Sequence, residues 1–126
     1  MPVVNIRGLA QTLALSALFA CALALPALAH AKLVAAVPAI DAALDTMPDE
    51  LALTFSEPVE IAFSKVELTE PDQPATAMDI ALDPADPASI RAALPDGLPA
   101  GHYSVDWTIV AADGHKTTGS YAFDVK

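Results

Sequence analysis

Residues 101–125 read GHYSVDWTIVAADGHKTTGSYAFDV. Tyr103, Val105, Trp107 and Ile109 fall on one parity, and His102, Ser104, Asp106 and Thr108 on the other. Further on, Tyr121, Phe123 and Val125 alternate with Ser120, Ala122 and Asp124. A period of two carried by aromatic and β-branched residues marks strands with one face in a core and one in water. Between the two runs lies Ala112-Asp113-Gly114-His115. Glycine accepts the backbone of a tight turn, and Asp-Gly between strands is a hairpin signal. The pattern predicts paired strands over His102–Val110 and Lys116–Val125. The lead-in Pro95–Tyr103, PDGLPAGHY, is rich in turn formers. Its Gly101-His102-Tyr103 looks like the start of a tyrosine corner, in which the phenol bonds back to the preceding loop.

Working towards the N-terminus, Leu51, Leu53 and Phe55 share a parity with Ala52 and Thr54 between them. Further strands are expected near Lys32–Val37, Leu51–Phe55, Lys65–Thr69, Met78–Leu82 and Ser89–Leu94. Nine prolines from Pro38 to Pro99 leave little room for long helices. Seven short strands predict an all-β domain, a Greek-key sandwich or barrel. The acidic, proline-rich stretch Glu70–Pro87 reads as solvated loop at its ends, flanking a short strand. There is no internal repeat and no second domain.

The first 29 residues have a different character. The whole chain has 126 residues, a formal charge of −10 and one cysteine. Its mean hydropathy of +0.44 sits oddly with that charge. The apolar excess is segregated: residues 1–29 contain Arg7, an apolar run from Leu9 to Leu25 and no acid, and end in Ala27-Leu28-Ala29. Cationic start, apolar centre and A-x-A end are the parts of a secretory signal peptide, expected to be cut after Ala29. A retained membrane anchor and lipidation at Cys21 are the competing readings. The A-x-A site favours cleavage over the anchor, and Phe19 fits a lipidation site poorly. Residues 30–126 are then the mature domain, without cysteine and with charge −11, because only Arg7 is lost. That charge argues against nucleic acid and anionic lipid as partners. No Ser/His/Asp arrangement, P-loop, C-x-x-C or H-E-x-x-H is present, so the residues give no support for an enzyme of those classes.

Cleavage after Ala29 would make His30 the first residue, with a free α-amine and an imidazole Nδ1 able to close a chelate on a metal. Cu(II) competes well for such nitrogens and accepts tetragonal N,O coordination. In the turn, Asp113 and His115 flank Gly114 and could supply a carboxylate oxygen and an imidazole nitrogen on one side. The plain alternatives are a histidine that follows the cut by chance and a turn that only joins two strands. His102 belongs to the water face, and Tyr103 and Trp107 to the core. Met47 and Met78 are too sparse for a thioether site of the kind Cu(I) favours.

Taken in order, His30-Ala-Lys-Leu-Val, Pro38, Leu53-Thr-Phe-Ser-Glu-Pro-Val59, Gly101-His-Tyr-Ser-Val-Asp-Trp107, Ala112-Asp-Gly-His115 and Gly119-Ser-Tyr-Ala-Phe123 resemble the CopC family of periplasmic copper-binding proteins. The resemblance spans nearly all of residues 30–126. It implies a seven-stranded Greek-key β-barrel or sandwich, cupredoxin-like or immunoglobulin-like. It also implies one Cu(II) per domain, held by the amine and imidazole of His30 with Asp113 and His115. Some members add a carboxylate that matches Glu57, which could equally cap a turn before Pro58. One branch carries a Met-rich Cu(I) site; the matching stretch here, about 64–80, holds only Met78, so the chain resembles the Cu(II)-only branch. A role in copper homeostasis or resistance follows from the resemblance, by sequestration or by handover to an inner-membrane copper transporter of the CopD type. A periplasmic monomer without enzyme activity is expected. Two other readings compete: a histidine-brace copper oxidoreductase and a metal-free immunoglobulin-like adhesion domain.

Overall fold

The computed structural model describes residues 30–126; the proposed signal peptide, with Cys21, lies outside the described residues. The chain runs β1 (Leu33–Val37), β2 (Ala43–Leu44), β3 (Glu50–Phe55), a single 3-10 turn (Ile61–Phe63), β4 (Lys65–Thr69), β5 (Thr76–Ala77), β6 (Ala81–Asp83), β7 (Asp86–Ala93), β8 (Gly101–Val110) and β9 (Lys116–Val125). Two sheets result, in the orders β1-β3-β7-β6 and β2-β9-β8-β4-β5. All pairings are antiparallel except β2 with β9. The two sheets form a β-sandwich.

The alternation at 101–125 becomes a ten-pair ladder from Gly101↔Val125 to Val110↔Lys116. Strict register keeps Tyr103, Val105, Trp107 and Ile109 of β8 and Tyr121, Phe123 and Val125 of β9 on the inner face. Tyr103, Val105, Ile109 and Phe123 have no exposed surface, and they meet Leu51, Leu53 and Ile90 of the facing sheet. Tyr103 stacks on Phe123 with centroids 5.3 Å apart, and Trp107 meets Phe55 edge to face at 5.1 Å. The Tyr103 hydroxyl donates to the Pro99 carbonyl, which makes the expected tyrosine corner. The phenol thus buries its ring and still satisfies its polar tip.

Two expectations about strands need correction. The strand expected at Met78–Leu82 is two pieces. β5 pairs with β4 in one sheet, β6 pairs with β7 in the other, and Met78–Ile80 cross between them. One unbroken strand cannot belong to both layers. The two-residue β2 was not anticipated, because two residues carry no periodicity. The sandwich therefore has nine strands where seven were expected. β7 also begins earlier than expected, at Asp86, with Pro87 near its start, where a missing N–H is tolerated.

The segment between β3 and β4 changes sheets and caps one end of β8. Glu60 N–H donates to the Val110 carbonyl (2.8 Å), Val110 N–H to Ser64 Oγ (3.0 Å) and Ala112 N–H to the Pro58 carbonyl (2.9 Å). Buried Val59 bridges to Ala111. The 113–115 turn is thereby braced from the side by residues that follow Glu57.

Trp107 lies over the backbone of its cross-strand partner Gly119. A Cβ added at Gly119 would sit 2.2 Å from Trp107 Cζ2. Gly119→Ala should therefore overpack the core and cost about 1–3 kcal/mol. Urea unfolding followed through the single tryptophan measures this. An unchanged midpoint would mean that the indole does not pack on this glycine.

Candidate metal centre

The turn between β8 and β9 is closed by its own backbone. Ala111 N–H donates to the His115 carbonyl (3.0 Å) and Gly114 N–H to the Ala111 carbonyl (2.8 Å). Gly114 has φ +86°, a conformation that side-chain-bearing residues rarely adopt. Asp113 folds back over the turn. Its Oδ1 accepts from His115 N–H at 2.9 Å, and its Oδ2 lies 2.9 Å from His115 Nδ1. The hydrogen bond from the His115 ring, helped by the one from its backbone, holds the Asp113 carboxyl below its ordinary range, with His30 adding a smaller effect of the same sign. An ionised carboxylate only accepts, so Nδ1 of neutral His115 carries the hydrogen and Nε2 keeps its lone pair for a ligand.

His30 reaches this turn from the other end of the described chain. Its ring centroid is 5.3 Å from that of His115, with the planes at 82°. The next two residues are fastened. Ala31 is only 3% exposed, and its carbonyl accepts from Thr117 Oγ1 at 3.1 Å. Lys32 N–H donates to Ser56 Oγ (2.9 Å), and Ser56 N–H donates to the Lys32 carbonyl (2.8 Å). His30 itself remains exposed.

Of the four side chains expected at the site, His30, Asp113 and His115 are brought together. Glu57 is half-buried at the same end, between the Ser56–Lys32 and Pro58–Ala112 backbone bonds. Among the described residues it has no hydrogen-bond or ion-pair partner, so no turn-capping bond holds it. Also among the described residues, no three His, Cys, Asp or Glu groups form a closed cluster of metal-ligand shape. The arrangement is two imidazoles edge to face, one of them backed by a carboxylate. His102 sits at the far end of β8, exposed, with Nδ1 2.8 Å from Asp124 Oδ1. Thr117 and Ser56 went unnoticed in the sequence. No local pattern marks either residue, because each bonds to backbone distant in sequence.

Residues 33–126 match the sequence profile of the CopC domain. The chain belongs to the CopC family. Protein YobA of Escherichia coli K12 is 38% identical over 99 residues, covering 78% of this chain and 80% of that protein. Copper resistance protein C of Escherichia coli is 36% identical over 110 residues, covering 82% and 86%. The crystal structure of PcoC from Escherichia coli, described as a methionine-rich copper resistance protein, superposes with a TM-score of 0.65 at 36% identity, covering 78% of this chain and all of that one. The CopC domain described here is not methionine-rich, since Met47 and Met78 are the only methionines after residue 29.

The Asp113–His115 pair has a consequence in solution. The lowered Asp113 pKa means that the pairing stabilises the fold above the ordinary carboxylate pKa and is lost as pH falls through the depressed value. The Asp113 side-chain carbon signal, followed by NMR, should titrate below the usual Asp range. His115→Ala should return it towards that range. A normal midpoint in the unsubstituted protein would contradict the pairing.

Proposed function

We propose that this CopC-family chain is a periplasmic Cu(II)-binding protein of copper homeostasis and resistance, exported by cleavage after Ala29. One Cu(II) per domain is its cargo. The donors are the α-amine and imidazole of His30, the imidazole of His115 and a carboxylate oxygen of Asp113, with Glu57 as a further carboxylate at the rim. The observation that carries the reading is the approach of His30 to His115, two residues far apart in sequence whose rings meet at 5.3 Å.

The donor chemistry suits the ion. Nitrogen and carboxylate donors in a tetragonal set fit Cu(II) among the first-row metals. Asp113 backs the His115 ring through Nδ1, which leaves Nε2 to bind, and each carboxylate oxygen keeps another lone pair for a metal. One ionised carboxylate lowers the net charge of the bound cation and so the cost of partial burial. The acidic surface favours encounter with cations over distances limited by salt screening. Sequestration and handover to an inner-membrane transporter of the CopD type are both compatible with a site at an exposed end. A binding role is favoured over a copper oxidoreductase, because Tyr103, Trp107 and Tyr121, the aromatics considered for a flat substrate face, are buried in the core.

The test is a Cu(II) titration of two proteins, one beginning at His30 and one with a single residue added before it. The first should bind one equivalent tightly. The second, whose His30 nitrogen is an amide, should bind far more weakly. Equal, tight one-site binding by both would overturn the donor set.

A further inference from the structure

Chain ends are ordinarily loose unless something ties them down. Here the residue after His30 is tied: the Ala31 methyl group is buried and its carbonyl is held by Thr117 Oγ1 at 3.1 Å. Thr117 is the second residue of β9 and stands two residues beyond His115, the last residue of the turn. Its β-branched side chain has few rotamers, which suits a fixed clasp. The chain advances from His30 to Ala31 as the neighbouring strand advances from His115 to Thr117, the same parallel sense in which β2 lies along β9. On the opposite side, Ser56 exchanges two hydrogen bonds with Lys32.

We infer that Thr117 is a positioning residue for the metal site: its hydroxyl clasps the Ala31 carbonyl and holds the N-terminal arm in the register that sets the His30 nitrogens against His115, with Ser56 as a second clasp one residue on. The inference rests on the donor set proposed above. It assigns the affinity in part to two neutral hydroxyl groups that touch no metal. Without the clasp, the arm must be ordered at the moment of binding, and that lost freedom subtracts from affinity. Groups hydrogen-bonded directly to metal ligands typically change affinity by about 10–100-fold when removed, and a clasp on the residue next to the ligand should act at the lower end of that range.

The experiment uses proteins that begin at His30, with Thr117 unchanged, Thr117→Val or Thr117→Ser, and a separate Ser56→Ala form. Cu(II) affinity is measured by competition with a chelator, the Cu(II) site by electron paramagnetic resonance, and the metal-free fold by thermal unfolding. Thr117→Val should weaken Cu(II) by about tenfold and broaden or shift the copper spectrum, with little change in the metal-free unfolding temperature. Thr117→Ser, which keeps the hydroxyl, should restore both affinity and spectrum. Should Thr117→Val fold poorly, Ser56→Ala carries the same expectation at the second clasp. A lowered unfolding temperature with unchanged affinity and spectrum would make Thr117 merely structural and overturn the inference. The protein with a residue added before His30 separates the two ideas. If it binds as tightly as the free amine form while Thr117→Val still weakens binding, the clasp stands as a holder of the His30 ring and the amine donor falls. If neither change matters, both ideas fall.

Discussion

Ten consecutive residue pairs join β8 to β9 without a slip. That register is the constraint on which the rest of the structure depends. A one-residue shift would turn Tyr103, Val105, Trp107 and Ile109 to water and bring His102, Ser104, Asp106 and Thr108 into the core. The same register sets Gly119 under the Trp107 ring and brings the strand ends to the five-residue connection Ala111–His115, so Asp113 and His115 emerge at a fixed place. Packing in the core and the position of the candidate ligands thus have a common origin. The tyrosine corner at Tyr103 pins the other end of the ladder to the loop before β8.

The end of the sandwich that bears the turn is assembled from three separated segments. The 113–115 turn contributes the carboxylate-backed imidazole, the 56–64 crossover braces it through Pro58, Val59 and Glu60, and the arm at 30–32 supplies the second imidazole. Each joint is a backbone hydrogen bond or a short polar contact, and none depends on a disulfide. This is consistent with the absence of cysteine from residues 30–126. The exposed His30 and half-exposed Asp113 and His115 leave the site open to solvent. An ion could enter or leave there without opening the core.

Much of this was legible in the sequence because strands announce themselves by parity. The alternation at 103–109 and 121–125, the Asp-Gly turn and the Gly-His-Tyr corner each rest on a local rule, and each has the expected structural counterpart. Local rules failed where a segment gains its state from distant neighbours. β2 exists because β9 offers it an edge, and the 76–83 segment divides because its two halves find partners in different sheets. The candidate ligands His30, Asp113 and His115 could be named from residue type and from family resemblance. Their convergence could not be derived from spacing, because it depends on an arm lying along β9. Thr117 and Ser56 were invisible for the same reason. A hydroxyl that meets a backbone carbonyl 86 residues away leaves no mark on its own surroundings.

The central claim is that a signal cut creates the ligand that completes the site. The most direct measurement is an intact mass of the protein recovered from the periplasm, taken under native conditions before and after one equivalent of Cu(II). A polypeptide beginning at His30 that takes up a single copper ion is the predicted result. A chain that begins elsewhere and still binds one copper tightly, or one that begins at His30 and binds none, would contradict it.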